Sequence, residues 1–421
     1  MTALLRCSWI RRSLDMTYDF TSVMDRRGKD AIAVDALGKG DTSFTPMKPR
    51  EGFDIIPMWV ADMNFPACPA IPRAIIERTE HPAYGYFELR DAYYDEIIGW
   101  HRAVNGVRGL TRDEIGYENG VLGGVISALN VFCSRGDNIL LHSPTYIGFT
   151  GSLKNAGYNL VHSELKKDER GVWRMDLEDM EEKILRYHIK AALFCSPHNP
   201  CGRVWSRDEI LAFTELCRRH DVYIVSDEIW SDITLEGNRH IPTQSVSDDA
   251  RSRTVALYAP SKTFNLAGLV GAYHIIYNRR IRERVRKESS LSHYNNVNLL
   301  SMYALMGAYS PEGLSWMKEL RTVLSQNIDY ACSTIEQELP DLEVFRPEGT
   351  YMLFVDCTRY CERNGCTLDD VLQSAWDVGV AVQDGRPFHG ECHIRMNLAL
   401  PLSRVQEAFR RLKQYVFVSK R

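Results

Sequence analysis

A lysine in a short loop segment is the first residue whose type and surroundings point to chemistry. Lys262 lies in YAPSKTFNLAGL, residues 258–269, directly after the apolar run 254–257, which is predicted to be a strand. Desolvation disfavours the ammonium form of a lysine, and the neutral amine is the form that condenses with an aldehyde. A solvated loop lysine is the ordinary alternative, so the case for chemistry depends on the rest of the chain.

Other chemically capable residues also follow predicted strands. Gly120, Tyr146, Asn199 and Asp227 each come just after an apolar run, as Lys262 does. Strands that alternate with helices predict a mostly parallel sheet with helices on both faces. In such sheets, ligands bind beyond the carboxyl ends of the strands. We therefore expect these five residues to converge on one site.

A glycine-bearing turn precedes the helix predicted for residues 125–132. Gly123 and Gly124 open this helix, where free backbone N–H groups and the helix dipole favour an anion. Tight backbone packing is an equally good explanation for the two glycines. The turn lacks the dinucleotide-binding fingerprint, which disfavours a nucleotide-dependent oxidoreductase.

The texture of the chain predicts three parts. Residues 1–54 form an N-terminal extension and a Gly- and Pro-broken arm, 55–295 a large domain, and 296–421 a smaller α+β domain. The first fifteen residues contain arginines but no apolar core of a signal peptide, and Met16 is an alternative start. The arm is expected to be extended and to have little core of its own.

Composition excludes several classes of partner. The 421 residues carry a formal net charge of −4, with 44% hydrophobic and 25% charged residues. This near-neutral balance gives no electrostatic case for nucleic acid or an anionic membrane, and no apolar stretch approaches the roughly 20 residues of a membrane-spanning helix. The eleven scattered cysteines are typical of reduced thiols in a cytoplasmic protein.

One group of cysteines raises the question of a metal. Cys357, Cys361 and Cys366 are close in sequence, with Cys392 and His393 further on. Their spacing lacks the tight pair typical of zinc sites, so we expect no metal.

The residues after the strands match the needs of pyridoxal phosphate. This cofactor requires a lysine for covalent attachment, a carboxylate opposite its ring nitrogen, a donor near its hydroxyl, a stacking aromatic ring and a phosphate cradle. An arginine would bind the substrate carboxylate through two parallel hydrogen bonds. The chain offers one candidate for each requirement: Lys262, Asp227, Asn199, Tyr146, the Gly120–Gly124 turn with Ser261, and Arg395.

At these residues the chain resembles the fold-type I, class I/II aminotransferase superfamily. The matching motifs are SPHNPCGRVW, VSDEIW, APSKTFNLAGL and HIRMNLALP, and the resemblance spans residues of about 55 to 410. Within that superfamily, VMDRRGKDAIAVD, MWVADMNFP and HPAYGYF are similar to the MalY/PatB group of C–S β-lyases, which cleave cystathionine and cysteine conjugates.

The resemblance implies a fold, a cofactor and a set of roles. The expected fold is α/β, with a large, mostly parallel sheet flanked by helices, a smaller α+β domain, and a homodimer with shared active sites. Its implied roles are the Schiff-base lysine (Lys262), the pyridinium partner (Asp227), the hydroxyl donor (Asn199), the stacking ring (Tyr146), the cofactor-binding residues Gly123, Gly124 and Ser261, a residue that reaches the neighbouring subunit's site (Tyr86), and substrate binding by Arg395 and Asp62.

Each of these residues also has a purely structural alternative. Asp227 could cap a helix, Asn199 could serve its Asn-Pro turn, and Arg395 could pair with a structural carboxylate. Tyr146 could be core, and Tyr86 the edge of a helix. The loop that contains Asp62 could simply pack the arm onto a domain. His198, Glu228 and Asp232 are interpreted as structural.

Two positions depart from the aminotransferase pattern. Trp230 stands three residues after Asp227, where a tyrosine is usual, and its indole can only donate a hydrogen bond. Val270 stands where an arginine often binds the phosphate. Both departures make a standard aminotransferase a poorer match.

The sequence therefore predicts a pyridoxal-phosphate-dependent C–S β-lyase acting on a small amino-acid substrate. Elimination from cystathionine or a related conjugate would give a thiol, pyruvate and ammonia. An aminotransferase is the alternative, and a cofactor-binding regulator that acts through protein contacts is a more distant one.

Overall fold

The computed structural model describes residues 17–39, 45–291 and 295–418. The predicted extension over residues 1–15 lies outside these ranges. None of the helices in the described ranges is long and apolar enough to cross a membrane.

The described residues form fifteen strands. In chain order they are β1 Ile56–Pro57, β2 Ile115–Glu118, β3 Asn138–Ser143, β4 Asn159–Glu164, β5 Lys166–Lys167, β6 Trp173–Arg174, β7 Ala191–Cys195, β8 Tyr223–Asp227, β9 Thr254–Tyr258, β10 Ala272–Ile275, β11 Glu343–Val344, β12 Met352–Asp356, β13 Val380–Ala381, β14 Gln383–Asp384 and β15 His393–Asn397.

Fourteen α-helices occur in the same ranges. They are α1 Ile32–Asp35, α2 Ala70–Thr79, α3 Asp91–Val104, α4 Val121–Phe132, α5 Ile147–Ala156, α6 Leu177–Arg186, α7 Arg207–Arg219, α8 Asp248–Arg253, α9 Arg279–Leu291, α10 Leu299–Ala308, α11 Pro311–Glu338, α12 Thr358–Asn364, α13 Leu368–Asp377 and α14 Leu402–Arg411.

A seven-stranded sheet positions the predicted site. Its order is β2-β10-β9-β8-β7-β3-β4. The five strands from β9 to β4 are parallel, while β10 runs antiparallel to both of its neighbours. Since β2 points the same way as β9, the carboxyl ends of β2, β3, β7, β8 and β9 all lie at one edge. The predicted mostly parallel sheet is confirmed.

The apolar run of β7 shows why this sheet is covered on both faces. Ala191, Leu193 and Cys195 pack into one core cluster, against α4 and α5. The alternate residues Ala192 and Phe194 pack into another, against α6 and α7. Successive side chains of a strand point to opposite faces, so a continuously apolar strand needs helices on both sides.

A second, four-stranded sheet carries the C-terminal part of the site. Its order is β11-β12-β15-β14, and all its neighbouring strands are antiparallel. The short strand β1, near the arm, pairs in parallel with β13. The limits predicted for the two domains stay predictions.

Three predicted helix boundaries differ from the structure. Helix α4 begins at Val121 rather than at residue 125, with Gly120 as its N-cap at φ +80°, a conformation that glycine adopts freely. The helical region predicted across residues 298–339 is two helices, because Ser310 caps α11 through the Gly313 N–H and Pro311 starts it. The final helix, predicted to reach residue 416, is α-helical only as far as Arg411, and Leu412–Val416 form a π-helix.

Two other local predictions can be compared with the structure. Helix α7 has the predicted capping box, in which Ser206 and Glu209 satisfy each other's backbone N–H groups. The arm is not simply extended, because it contains α1 and buries Phe20 against Phe65 and Trp316. Phe20 belongs to the largest core cluster, and Leu37 packs with Trp59 and Ala381 in a smaller one.

Gly124 and Gly123 provide a matched test of how α4 packs on the sheet. A Cβ at Gly124 would lie 2.6 Å from Leu257 Cδ2, whereas a Cβ at Gly123 meets nothing closer than 3.9 Å. We expect Gly124→Ala to destabilise the protein by about 1–3 kcal/mol through overpacking. Gly123→Ala should be neutral or stabilising by up to about 1 kcal/mol, since alanine favours the helix. Denaturant unfolding of both variants without cofactor measures this, and equal stabilities would contradict the packing role of Gly124.

Candidate active site

A cavity of about 250 Å³ lies at the edge where the strand ends meet. Seven of the predicted site residues line it: Gly120, Gly123, Tyr146, Asn199, Asp227, Ser261 and Lys262. They come from four segments that follow β2, β3, β7 and β9, together with the last residue of β8. The convergence expected from strand order is therefore present in the structure.

Lys262 reaches into this cavity from the loop after β9. Its side chain is half-buried, and Nζ donates a hydrogen bond to the Ala61 carbonyl at 3.0 Å. Nζ also lies 5.7 Å from the centre of the Trp230 ring. Desolvation, reinforced by the charge of Arg395 and opposed by the charges of Asp62 and Asp227, lowers the pKa of Lys262 to about 8. A substantial fraction of neutral amine is therefore present near neutral pH.

Asp227 is the buried carboxylate of the cavity. It is the last residue of β8, only 4% exposed, and its Oδ1 accepts a hydrogen bond from the Ile229 N–H at 3.0 Å. Burial raises the pKa of Asp227 to about 7, and the Ile229 hydrogen bond and the Lys262 charge lower it only in part. A cationic group facing this carboxylate would offset the cost of its burial.

The N-terminus of α4 forms one wall of the cavity. Gly120, Val121 and Leu122 line it together with Gly123, and no side chain in the described ranges caps this helix end. The first intrahelical bond is donated by the Gly124 N–H, which leaves the N–H groups of residues 121–123 for an anion. Gly124 does not line the cavity. It lies against Leu257, so its requirement is close helix–sheet packing.

Tyr146 and Asn199 also line the cavity. Tyr146 precedes α5, and its ring passes so close to Gly148 that a Cβ there would lie 2.3 Å from the ring. Asn199 is buried, and its Oδ1 accepts a hydrogen bond from Arg395 at 3.3 Å. Both side chains are therefore held in place by their neighbours.

Arg395, in the middle of β15, is buried behind Asn199. Its guanidinium donates to Asn199 Oδ1 and to the Trp59 carbonyl at 3.1 Å, and it lies 4.1 Å from the centre of the Phe388 ring. Among the described residues it has no carboxylate partner, and its Nε is buried without an acceptor. Desolvation lowers its pKa to about 10. The group is thus prepared for an anion.

Arg203 provides a contrast within the same chain. It is as deeply buried as Arg395, yet it forms ion pairs with Glu209 at 2.7 Å and Glu348 at 2.5 Å. A buried arginine in a structural role is normally paired in this way. The absence of such a partner at Arg395, within the residues described, therefore argues against the structural alternative.

Two further predicted residues, Tyr86 and Asp62, are not among those that line the cavity. Tyr86 is fully exposed on the segment between α2 and α3. The carboxylate of Asp62 is hydrogen-bonded to Arg26 of the arm at 3.1 and 2.5 Å. Direct contact between Asp62 and a substrate is therefore a poorer interpretation than an anchoring role.

Two parts of the site were not predicted from the sequence. They are the backbone carbonyl of Ala61, just before Asp62, and the side chain of Tyr351. The Ala61 carbonyl accepts hydrogen bonds from both Lys262 Nζ and the Tyr351 hydroxyl, the latter at 3.1 Å. Tyr351 is buried, with its ring edge-on to Trp230 at 4.7 Å. A backbone acceptor leaves no mark in residue types. The tyrosine just before β12 was the available signal.

The residues interpreted as structural have structural partners. The carboxylate of Asp232 is held by Trp100 and Thr263 at 3.0 and 2.9 Å. Glu228 accepts hydrogen bonds from His240 and Tyr258, and His198 donates to the Pro144 carbonyl. At the position usually taken by arginine, Val270 lines the cavity and is partly exposed at φ +29°.

The cysteine group contains one close pair. Cys361 Sγ and Cys392 Sγ are 3.7 Å apart. Over the described ranges, no group of three or more His, Cys, Asp or Glu side chains has an arrangement suited to a metal ion.

The cavity fits pyridoxal phosphate on structural grounds. A buried carboxylate without a full counter-charge, a helix end open to an anion and a lysine amine of lowered pKa share one space. Asp227 would face the ring nitrogen, the α4 N-terminus with Ser261 would hold the phosphate, and Lys262 would form the covalent attachment.

Comparison with known proteins gives an independent result. The profile described as "Aminotransferase class I and II" matches residues 56–412. Cystathionine beta-lyase PatB of Bacillus subtilis is 33% identical, covering 86% of this chain and 92% of that protein. Protein MalY of Escherichia coli is 28% identical, covering 93% of this chain and 96% of that protein.

The comparison with solved structures agrees with this result. The PLP-bound C-S lyase from Staphylococcus hominis superposes with a TM-score of 0.86 at 28% identity, covering 96% of this chain and 99% of that chain. The fold and the family resemblance predicted from sequence are confirmed.

The burial of Asp227 makes the stability of the cofactor-free protein depend on pH. Its pKa is raised from the ordinary 3.8 to about 7, so the folded state binds more protons than the unfolded state between these values. Stability is then lost as pH rises, by up to about 4 kcal/mol above pH 7. Asp227→Asn removes this cost, and we expect a higher Tm than the wild type at pH 8. That difference should narrow towards pH 5, whereas a difference independent of pH would contradict the assignment.

Proposed function

Because this chain belongs to the aminotransferase class I and II family and uses pyridoxal phosphate, we propose that it cleaves cystathionine or related cysteine S-conjugates by α,β-elimination. The products would be a thiol, pyruvate and ammonia. The observation that carries the proposal is the half-buried Lys262 amine, held by a backbone carbonyl in a cavity shared with Asp227. The 33% identity to cystathionine beta-lyase PatB supports the substrate class.

Bound pyridoxal phosphate supplies an electron-withdrawing ring that stabilises the negative charge left when a proton leaves the substrate Cα. Lys262 would take that proton, because its pKa of about 8 leaves about a tenth of the amine neutral at pH 7 and about half at pH 8. The Ala61 carbonyl, 3.0 Å from Nζ, fixes the direction of the amine. Asp227 would hold a proton on the ring nitrogen through its buried negative charge.

Arg395 is proposed to bind the substrate carboxylate. Its buried guanidinium has donors directed to Asn199 and to the Trp59 carbonyl, and its Nε has no acceptor among the described residues. A carboxylate placed beside it would gain charge-assisted hydrogen bonds away from water. Asn199 would then connect the substrate site to the cofactor site.

Trp230 favours elimination over amino transfer. It is buried in the cavity wall close to Lys262, and its indole N–H can donate but cannot accept a proton. A tyrosine at this position could also accept a proton, so this departure from the aminotransferase pattern supports the lyase over the aminotransferase.

An aminotransferase is the second candidate, because the matching family profile is described by that activity. Lys262, Asp227 and Arg395 would serve both reactions in the same way. The two reactions differ in whether a leaving group departs from Cβ before the proton is returned.

We also propose that the protein forms a homodimer and is located in a reducing compartment. Tyr84 and Tyr86 are exposed aromatic residues of one segment, and Tyr86 is proposed to enter the site of a second subunit. All ten cysteines within the described residues are free thiols, which agrees with a cytoplasmic location.

Replacement of the lysine gives a direct test of attachment. We expect Lys262→Ala to lose the borohydride-reducible link to the cofactor and to reduce turnover by at least about 100-fold, since a positioned acid–base group contributes that much or more. Mass spectrometry of the reduced protein measures the link. Lys190→Ala, at a lysine paired with Asp137, is the matched control. A full-occupancy link in the Lys262 variant would overturn the assignment.

Product stoichiometry decides between the two reactions. With cystathionine and no keto acid, we expect pyruvate, ammonia and homocysteine in equal amounts over many turnovers. A transaminase would stop after about one equivalent per site, because its cofactor would remain in the amine form. Turnover that stalls there and resumes when a keto acid is added would replace the lyase proposal by the second candidate.

A further inference from the structure

A single loop receives hydrogen bonds from several side chains of the candidate site. We call residues 59–63, between β1 and α2, the carbonyl loop. The Trp59 carbonyl accepts from Arg395 at 3.1 Å, and the Ala61 carbonyl accepts from Lys262 at 3.0 Å. The loop therefore contacts the proposed substrate-binding arginine and the proposed attachment lysine at the same time.

Two asparagines hold the same loop. Asn397 Nδ2, on β15, donates to the Val60 and Asp62 carbonyls at 2.7 and 2.5 Å. Asn265 bonds to both the N–H and the carbonyl of Met63, each at 3.0 Å. Asn397 belongs to the four-stranded sheet and Asn265 to the segment that contains Lys262, so the carbonyl loop is positioned from both sides.

Arg26 of the arm is hydrogen-bonded to the carbonyl loop and to the residue that follows it. One guanidinium nitrogen donates to Asp62 Oδ1, Asn64 Oδ1 and the Met63 carbonyl at 3.1, 3.0 and 3.3 Å. The other donates to Asp62 Oδ2 at 2.5 Å. The side chains of Arg26 and Asp62 are only 14% and 16% exposed, and a shielded ion pair of this two-pronged geometry is stronger and more directional than a surface pair.

We propose that Arg26 is a positioning residue that acts through Asp62 to set the carbonyl loop, and through the loop the orientation of Lys262 and Arg395. Arg26 and Asn64 line a different cavity, on the arm side of the loop. The arm is therefore part of the catalytic apparatus without touching the substrate. The roles of Lys262 and Arg395 in this inference rest on the proposed function.

The charges around Lys262 predict the direction in which removal of Arg26 changes the affinity of the Lys262 nitrogen for its proton. The charged groups that act on Lys262 are Arg395, which lowers its pKa, and Asp62 and Asp227, which raise it. Arg26 partly neutralises Asp62, so its removal leaves the Asp62 charge uncompensated. The proton on the Lys262 nitrogen should then be held more tightly. Removal of the Asp62 charge should have the opposite effect.

Arg27 is a natural control for Arg26. It is adjacent in sequence and has the same side chain, but it is 75% exposed and pairs with the nearby Asp25 at 2.8 Å. An exposed pair of this kind contributes little. Replacement of Arg27 therefore removes a charge from the arm without disturbing the carbonyl loop.

The test uses the holoenzyme without substrate. The visible absorbance of the attached cofactor changes as the Lys262 nitrogen loses its proton, so a pH titration gives a midpoint for that proton. We expect R26Q to raise this midpoint, D62N to lower it, and R27Q to leave it unchanged. R26K should keep the midpoint near that of the wild type, because the positive charge remains.

Steady-state kinetics separate geometry from charge. R26Q and R26K should both reduce kcat/KM for the amino-acid substrate by about 10- to 100-fold, because displacement of catalytic groups by about 1 Å has effects of that size. R27Q should match the wild type. A loss of kcat/KM in R26K at an unchanged midpoint would assign the loss to the two-pronged geometry of Arg26.

Two results would overturn the inference. One is an unchanged midpoint and wild-type kinetics in R26Q. The other is a shift of the midpoint in the same direction in R26Q and D62N, which would indicate general loosening of the site. Because the titration needs no substrate, failure of cystathionine as a substrate would count against the proposed function and leave the positioning role of Arg26 intact.

Discussion

Burial of opposite charges in one small cavity is the constraint on which this structure depends. Lys262 is half-buried and Asp227 is buried, and desolvation moves the pKa of each towards neutrality, to about 8 and about 7. Burial of a charged group in a cavity of this kind costs free energy unless a group of opposite charge pairs with it. The surrounding fold holds these groups in place despite that cost, which is expected of a site prepared for a ligand that brings its own charges.

The two sheets position the residues of the site in different ways. The seven-stranded sheet brings residues together because its strand ends share one edge, a geometric property of parallel strands. The four-stranded sheet contributes Arg395 from the middle of β15, and that arginine is hydrogen-bonded to Asn199 and to the backbone of Trp59. The carbonyl loop therefore connects the parts of the site that the two sheets contribute. The arm holds this loop in position through Arg26.

The sequence was sufficient for the parts of the site that depend on strand order. Tyr146, Asn199, Asp227 and Lys262 were predicted to converge because each follows a buried strand, and the structure places all four in one cavity. Gly124 was assigned to the cofactor because a glycine required for packing and one required for a ligand look alike in sequence. The family resemblance implied that Asp62 binds the substrate, and its partner in the structure, Arg26, lies 36 residues earlier in the chain. Such long-range pairing leaves no local pattern.

The double acceptance at the Ala61 carbonyl has a consequence for how this site is studied. The atom that receives Lys262 and Tyr351 belongs to the main chain, so residue 61 contributes through its position and not through its side chain. It is already an alanine, and a scan that truncates side chains one by one would pass over the acceptor closest to the lysine. Substitutions that alter the path of the backbone at residues 60–62, or replacement of the amide by an ester, address this atom directly. Evolution can likewise vary the side chain at this position while preserving the function of the carbonyl.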